Sequence, residues 1–387
     1  MRKVSMLWML WIAAGIHLNA FPVDPLEHGS YPVATSNLQA HRPTDATMAH
    51  YLRGTFINGE ARYVSSLLDF PLSAAMTTVQ VPNDFELYGV YADQSLPVLM
   101  VVLYPTHPDN SHDDYRFPYD GQPDTLFPRM QPPGHPPIPF HPQKRFPLIM
   151  MSHGHQSHAL QNLEEMRFLA SHGYVVAGIF HGDGRISDGQ AERFLRPLMI
   201  KAATHYLLVH PFFTGMIDSE RMGISGTSFG GFTGLTVLGA KFLNHPSSQS
   251  DIRYKAGFAT VPWLGAGPDV PFPDDYASLA NITAPFLAVV GERDTVAPPD
   301  RALEGLQHTS GPTYAFQFQG EGHNFSQTAL RESRTLQVMF FDAFLKDSAI
   351  SKQVLDGPVT IRGGIEDQKV LQRHPVAEPV DPNAPGE

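Results

Sequence analysis

Cysteine is absent from this 387-residue chain, which excludes disulfide cross-links, thiol nucleophiles and thiolate-bound metals together. Core packing alone must hold the fold. Charge is also sparse: Asp, Glu, Lys and Arg make up 17% of residues, below the usual quarter, and the formal net charge is −11. An acidic surface repels phosphate backbones, so no nucleic-acid partner is expected. Long apolar runs are lacking too, since the run from Val4 to Ile16 falls short of the ~20 residues that cross a bilayer as a helix. The apolar fraction of 42%, by contrast, is ordinary for a globular protein.

Residues Met1 to Ala20 place Arg2 and Lys3 before that apolar run and end in His17-Leu18-Asn19-Ala20, the three-part layout of a secretory signal peptide. A secreted or periplasmic protein is expected, with no stable membrane span after cleavage and a charge that moves from −11 to −13 with the loss of Arg2 and Lys3. Residues 21–85 carry no chemical motif and read as an N-terminal extension. Residues 86–347 form the principal domain, interrupted at 105–147 by a proline-rich insertion. Its His107, His112, His135 and His141 fit no standard metal-ligand spacing. Residues 348–387 read as a C-terminal tail, poorly ordered from Pro375 onward.

Within the principal domain, continuous apolar runs predict strands over Val98–Tyr104, Leu148–Ser152, Tyr174–Phe180, Met222–Ser225, Ala256–Val261, Phe286–Gly291 and Thr313–Gln319. Helical spacing predicts helices over Ala159–Ser171, Leu198–Val209, Phe229–Leu243, Arg301–Gln307 and Ala329–Leu345. Gly182 to Arg196 is expected as a loop that either covers or exposes the pocket. Strands alternating with helices imply an α/β fold with a mostly parallel sheet covered by helices on both faces.

Gly226-Thr227-Ser228-Phe229-Gly230-Gly231 stands between such a strand and such a helix. Glycines at minus two and plus two let the backbone turn sharply and push the serine hydroxyl outward, which makes Ser228 a candidate nucleophile. A serine needs a base to take its proton and a carboxylate to hold that base. Asp294, in the Glu292-Arg293-Asp294 turn after a buried strand, is the candidate acid, with Glu292 as its local rival. His323, between Gly322 and Asn324 after the next strand, is the candidate base. The chain order nucleophile, acid, base is that of α/β-hydrolases. Backbone N–H groups of Phe229 and of His155, in Ser152-His153-Gly154-His155, are the candidate oxyanion donors. A zinc site at His153, His155 and His158 is the competing reading of the same loop.

From Val98 to Leu345 the chain resembles the α/β-hydrolases related to dienelactone hydrolases, platelet-activating-factor acetylhydrolases and cutinase-type bacterial polyester hydrolases. The resemblance rests on Ser152 to His155, Leu169-Ala170-Ser171-His172-Gly173-Tyr174-Val175-Val176, the Gly226 to Gly231 turn, Val290 to Pro298, and Gly322-His323-Asn324-Phe325. It implies the α/β-hydrolase fold, His155 and Phe229 as oxyanion donors, and Trp263 as an aromatic wall for the substrate, although Trp263 also suits plain packing. Phe325 is the second residue expected against substrate. The implied activity is serine carboxylic ester hydrolysis through an acyl-enzyme, without metal or cofactor, on a small-molecule, lipid or polymeric ester. A lipid esterase of the phospholipase A2 or platelet-activating-factor acetylhydrolase kind, and a non-catalytic binding protein on the same fold, are the alternatives.

Overall fold

The computed structural model describes residues 21–36, 74–116, 126–132, 134–182, 189–241, 250–266, 271–272, 276–364 and 367–373. The expected signal peptide and the segment from Pro375 to Glu387 lie outside the described residues. In chain order the strands are β1 (Phe21–Val23), β2 (Val33–Thr35), β3 (Ala74–Gln80), β4 (Ser95–Pro105), β5 (Tyr115–Arg116), β6 (Leu126–Phe127), β7 (Phe146–Ser152), β8 (Val175–Phe180), β9 (Ile217–Thr227), β10 (Tyr254–Thr260), β11 (Phe286–Gly291), β12 (Thr313–Phe318), β13 (Val359–Ile361) and β14 (Asp367–Arg373). The α-helices are α1 (Phe85–Tyr88), α2 (Leu163–Ser171), α3 (Gly189–Val209), α4 (Phe229–Leu238), α5 (Pro299–Leu306), α6 (Gln327–Leu345) and α7 (Ala349–Asp356).

Ten strands form one sheet in the order β14-β12-β11-β10-β9-β7-β8-β4-β2, with β3 also paired to β4. The six strands from β12 to β8 run parallel, and β4 and β14 close the parallel block antiparallel on either side. Every residue of β7, β8 and β11 is buried, as a strand covered on both faces requires. Neighbouring residues of β9 show the two covers: a side chain at Gly223 would meet Phe341 of α6 at 2.7 Å, whereas Ile224 approaches Gly234 of α4. The same alternation recurs on β10, where Gly257 makes room for Leu238 of α4 and the Phe258 ring lies 6.3 Å from that of Phe341. The architecture is therefore α/β, with a large, mostly parallel sheet and helices on both faces, consistent with an α/β-hydrolase-like topology.

A row of paired residues, Ser152, Gly226, Ala259, Ala288 and Ala315, crosses the parallel block in register. Ser228, Asp294 and His323 all follow this row, at the carboxyl ends of β9, β11 and β12. Open α/β sheets gather their ligands there.

Several sequence expectations change. The helix expected from Leu198 begins at Gly189 and contains Pro197. Pro197 cannot donate a helical hydrogen bond, yet Ala191, Leu195, Met199, Ala203 and Leu207 form one buried ladder at four-residue spacing that carries the helix through it. Residues 189–196 are thus helical rather than loop. The expected Ala159–Ser171 helix divides into a 3-10 turn over Ala159–Asn162 followed by α2, and α4 stops at Leu238, where Gly239 takes φ 134°. The proline-rich insertion holds the small β5–β6 pair. The supposed tail contributes α7, β13 and β14, and the N-terminal extension supplies β1, which pairs β13, together with β2 and β3.

Candidate active site

Ser228 sits between β9 and α4 at φ 55° and ψ −117°. A non-glycine residue held there stores on the order of 1–3 kcal/mol of strain, which persists only if the surroundings enforce it. They do so through four backbone hydrogen bonds: the Ser228 N–H donates to the Thr260 carbonyl at 2.9 Å, and the Ser228 carbonyl accepts the N–H groups of Gly231, Trp263 and Phe232 at 2.8, 3.0 and 3.3 Å. The flanking glycines are sterically required. A Cβ at Gly226 would stand 2.1 Å from the Gly230 carbonyl oxygen, and one at Gly230 would stand 1.9 Å from that of Ser152. The Phe229 N–H, first in α4, has no acceptor among the described residues.

Beyond β7, Gly154 packs against the serine: a Cβ there would lie 3.5 Å from Ser228 Cβ. The loop around it is held from behind by α3. Arg196, with a fully buried side chain, donates from Nη1 to the His153 carbonyl at 2.6 Å and from Nη2 to the Gly154 carbonyl at 3.1 Å. Its Nε donates to Glu192 Oε1 at 3.0 Å, and Glu192 Oε2 lies 3.3 Å from His155 Nδ1. His153 Nε2 accepts the His181 N–H at 3.2 Å, which leaves Nδ1 to donate to the Gly154 carbonyl at 2.8 Å. Both His153 nitrogens are thereby committed to the protein, so the set His153, His155, His158 does not offer three lone pairs to a metal. Burial above all, then Arg196 and His153, holds His181 neutral well below the usual histidine range. Burial, then His153, pushes His158 down to about 3.

Asp294 and His323 meet across the ends of β11 and β12, with His323 Nδ1 at 2.8 Å from Asp294 Oδ2. The Asp294 side chain is fully buried, and its Oδ1 accepts the N–H groups of Val296 and Ala297, each at 2.8 Å. A carboxylate so fixed can set the imidazole's orientation and tautomer. Glu292 instead braces the loops. Its Oε2 accepts the Gly320 N–H at 2.8 Å and so ties the two strand ends together, as does the Arg293 N–H to the Glu321 carbonyl. No hydrogen bond joins Ser228 to His323 in this structure.

A cavity of about 350 Å³ is lined by His155, Glu192, Arg193, Ser228, Phe229, Trp263 and Val296. Trp263 lines the cavity and packs its ring 5.5 Å from that of Phe229. Neither His323 nor Phe325 is among its lining residues. The Phe325 ring packs 5.2 Å from that of Phe318 of β12. Sequence reasoning missed Glu192, Arg193 and Arg196, whose signal was the acid–base spacing of four between 192 and 196 on an apolar ladder that crosses Pro197. No protein-family model matches the chain, and no curated protein matches it either. Assignment of a chemistry therefore rests on these residues and their geometry.

Proposed function

We propose that the protein is a serine hydrolase of carboxylic esters that works through an acyl-enzyme intermediate, on the pattern of the dienelactone hydrolase, platelet-activating-factor acetylhydrolase and polyester hydrolase group. The observation that carries the reading is the strained Ser228 turn opening on a cavity whose wall includes Val296, the residue whose N–H is accepted by the same buried Asp294 carboxylate that grips His323. Ser228 Oγ attacks the ester carbonyl carbon while His323 Nε2 takes its proton, a contact that must close to about 2.6–3.2 Å when substrate is seated. The Phe229 and His155 N–H groups stabilise the tetrahedral oxyanion. Collapse expels the alcohol with the proton from His323, and water, activated by the same imidazole, releases the acid. Apolar walls at Phe229, Trp263 and Val296 suit an acyl group, and an exported chain acting on a small-molecule, lipid or polymeric ester belongs to the same proposal.

Ser228→Ala tests it. Turnover of p-nitrophenyl acetate should fall by at least about 10⁴-fold with the melting temperature preserved. Activity equal to that of the unaltered protein would discard the reading. Initial rates on a soluble ester, a phospholipid, a peptide and an aromatic polyester film then rank the substrate classes.

A further inference from the structure

We propose that Arg196 is the positioning residue of the oxyanion hole: it holds the Gly154–His155 peptide so that its N–H faces Ser228, and Glu192 holds Arg196 in place. This rests on the serine hydrolase reading above. The peptide groups of the described chain include no cis bond, so the Gly154 carbonyl and the His155 N–H point to opposite edges of one plane. Two donors, Arg196 Nη2 and His153 Nδ1, hold the carbonyl edge, while Arg196 Nη1 holds the preceding carbonyl. Rotation of that peptide would turn a carbonyl toward the developing oxyanion and forfeit both hydrogen bonds. The guanidinium also lies 4.6 Å from the ring of Phe229, whose own N–H is the second donor. One side chain thus touches both halves of the hole.

Stability alone does not account for the pair. Burying a guanidinium and a carboxylate is costly in desolvation, and apolar residues of similar volume commonly serve a core as well or better. What apolar residues cannot do is grip two consecutive carbonyls. A planar fork can, and an ammonium cannot do so in the same geometry.

Two variants test the proposal, Glu192→Leu/Arg196→Met, which removes both charges at once, and Arg196→Lys, which keeps the charge opposite Glu192. Rates on p-nitrophenyl acetate are expressed per serine titrated with a fluorophosphonate, so that loss of folded protein is removed from the comparison. The double variant should lose about 10²-fold in kcat, the cost of one misplaced oxyanion donor, with KM nearly unchanged. Affinity for a trifluoromethyl ketone, which becomes an oxyanion on Ser228, should fall by a similar factor, and Arg196→Lys should lose about 10-fold, an intermediate share of the same effect. A merely structural role would lower the titrated fraction and leave the rate per site intact. Either folded variant with a per-site kcat within about twofold of the unaltered protein overturns the proposal while the hydrolase reading stands. No turnover by the unaltered protein overturns both.

Discussion

On the β7–β9 side of the cavity, backbone groups are gripped from several directions: Ser228 by four hydrogen bonds, and the carbonyls of His153 and Gly154 by Arg196 and His153. Beyond β11 and β12 the loops are tied, but the His323 imidazole itself is held at one nitrogen and its side chain is 22% exposed. The contrast follows from what each half would do. Donors to a developing charge are worth most when they need no reorganisation, whereas a group that takes and returns a proton must reach first one oxygen and then another.

The sharpest way to break this comparison is Asp294→Asn. It leaves the His323 contact in place but offers the wrong partner for Nδ1–H, and kcat should fall by about 10⁴-fold at neutral pH with little change in stability. A loss under tenfold would mean that the imidazole is not held for proton transfer. Next in size is Gly230→Ala on the rigid side, where a methyl 1.9 Å from the Ser152 carbonyl should cost about 3 kcal/mol or more in urea unfolding.

A third measurement concerns the buried histidines beside the loop that follows β7. His158 is neutral in the folded state down to about 3 but binds a proton below 6.5 when unfolded. Its contribution is therefore fully present above pH 6.5 and is lost as pH falls toward 3. Between pH 7 and pH 5, His158→Gln should lose about 2 kcal/mol less urea stability than the unaltered protein. Glu165, raised by its burial, has the opposite slope, but it is common to both proteins and cancels in the difference. An identical pH dependence would show that residue 158 is protonated in the fold. The smallest effect is Gly320→Ala on the side of the loosely held imidazole, where nothing stands within 4 Å and only the φ of 75° opposes a side chain. Roughly 1 kcal/mol should be lost there, with kcat retained. A loss as large as that of Gly230→Ala would erase the contrast between the halves.

What the sequence revealed of this site follows the same division. The turn at Ser228 was legible because its glycines are dictated by contacts under 2.2 Å that no side chain could survive. Asp294 and His323 were legible from chain order and from their places after buried strands. The Arg196 clamp was hidden because Pro197 reads locally as a helix end, and only the burial of Leu195 and Met199 on one ladder shows why the helix passes through it. The contact of Phe325 was hidden for a related reason: sequence gives its position beside His323 but not the direction of its ring, which packs on Phe318. At the chain ends, short strands such as β2 and β13, of three residues each, lack a period long enough to recognise.

The account depends on an activated hydroxyl at Ser228, and labelling with a fluorophosphonate followed by peptide mapping tests that most directly. A single adduct on the peptide containing Ser228, lost in His323→Ala, is the predicted result. A folded protein that takes up no label, or takes it up on another residue, would contradict it.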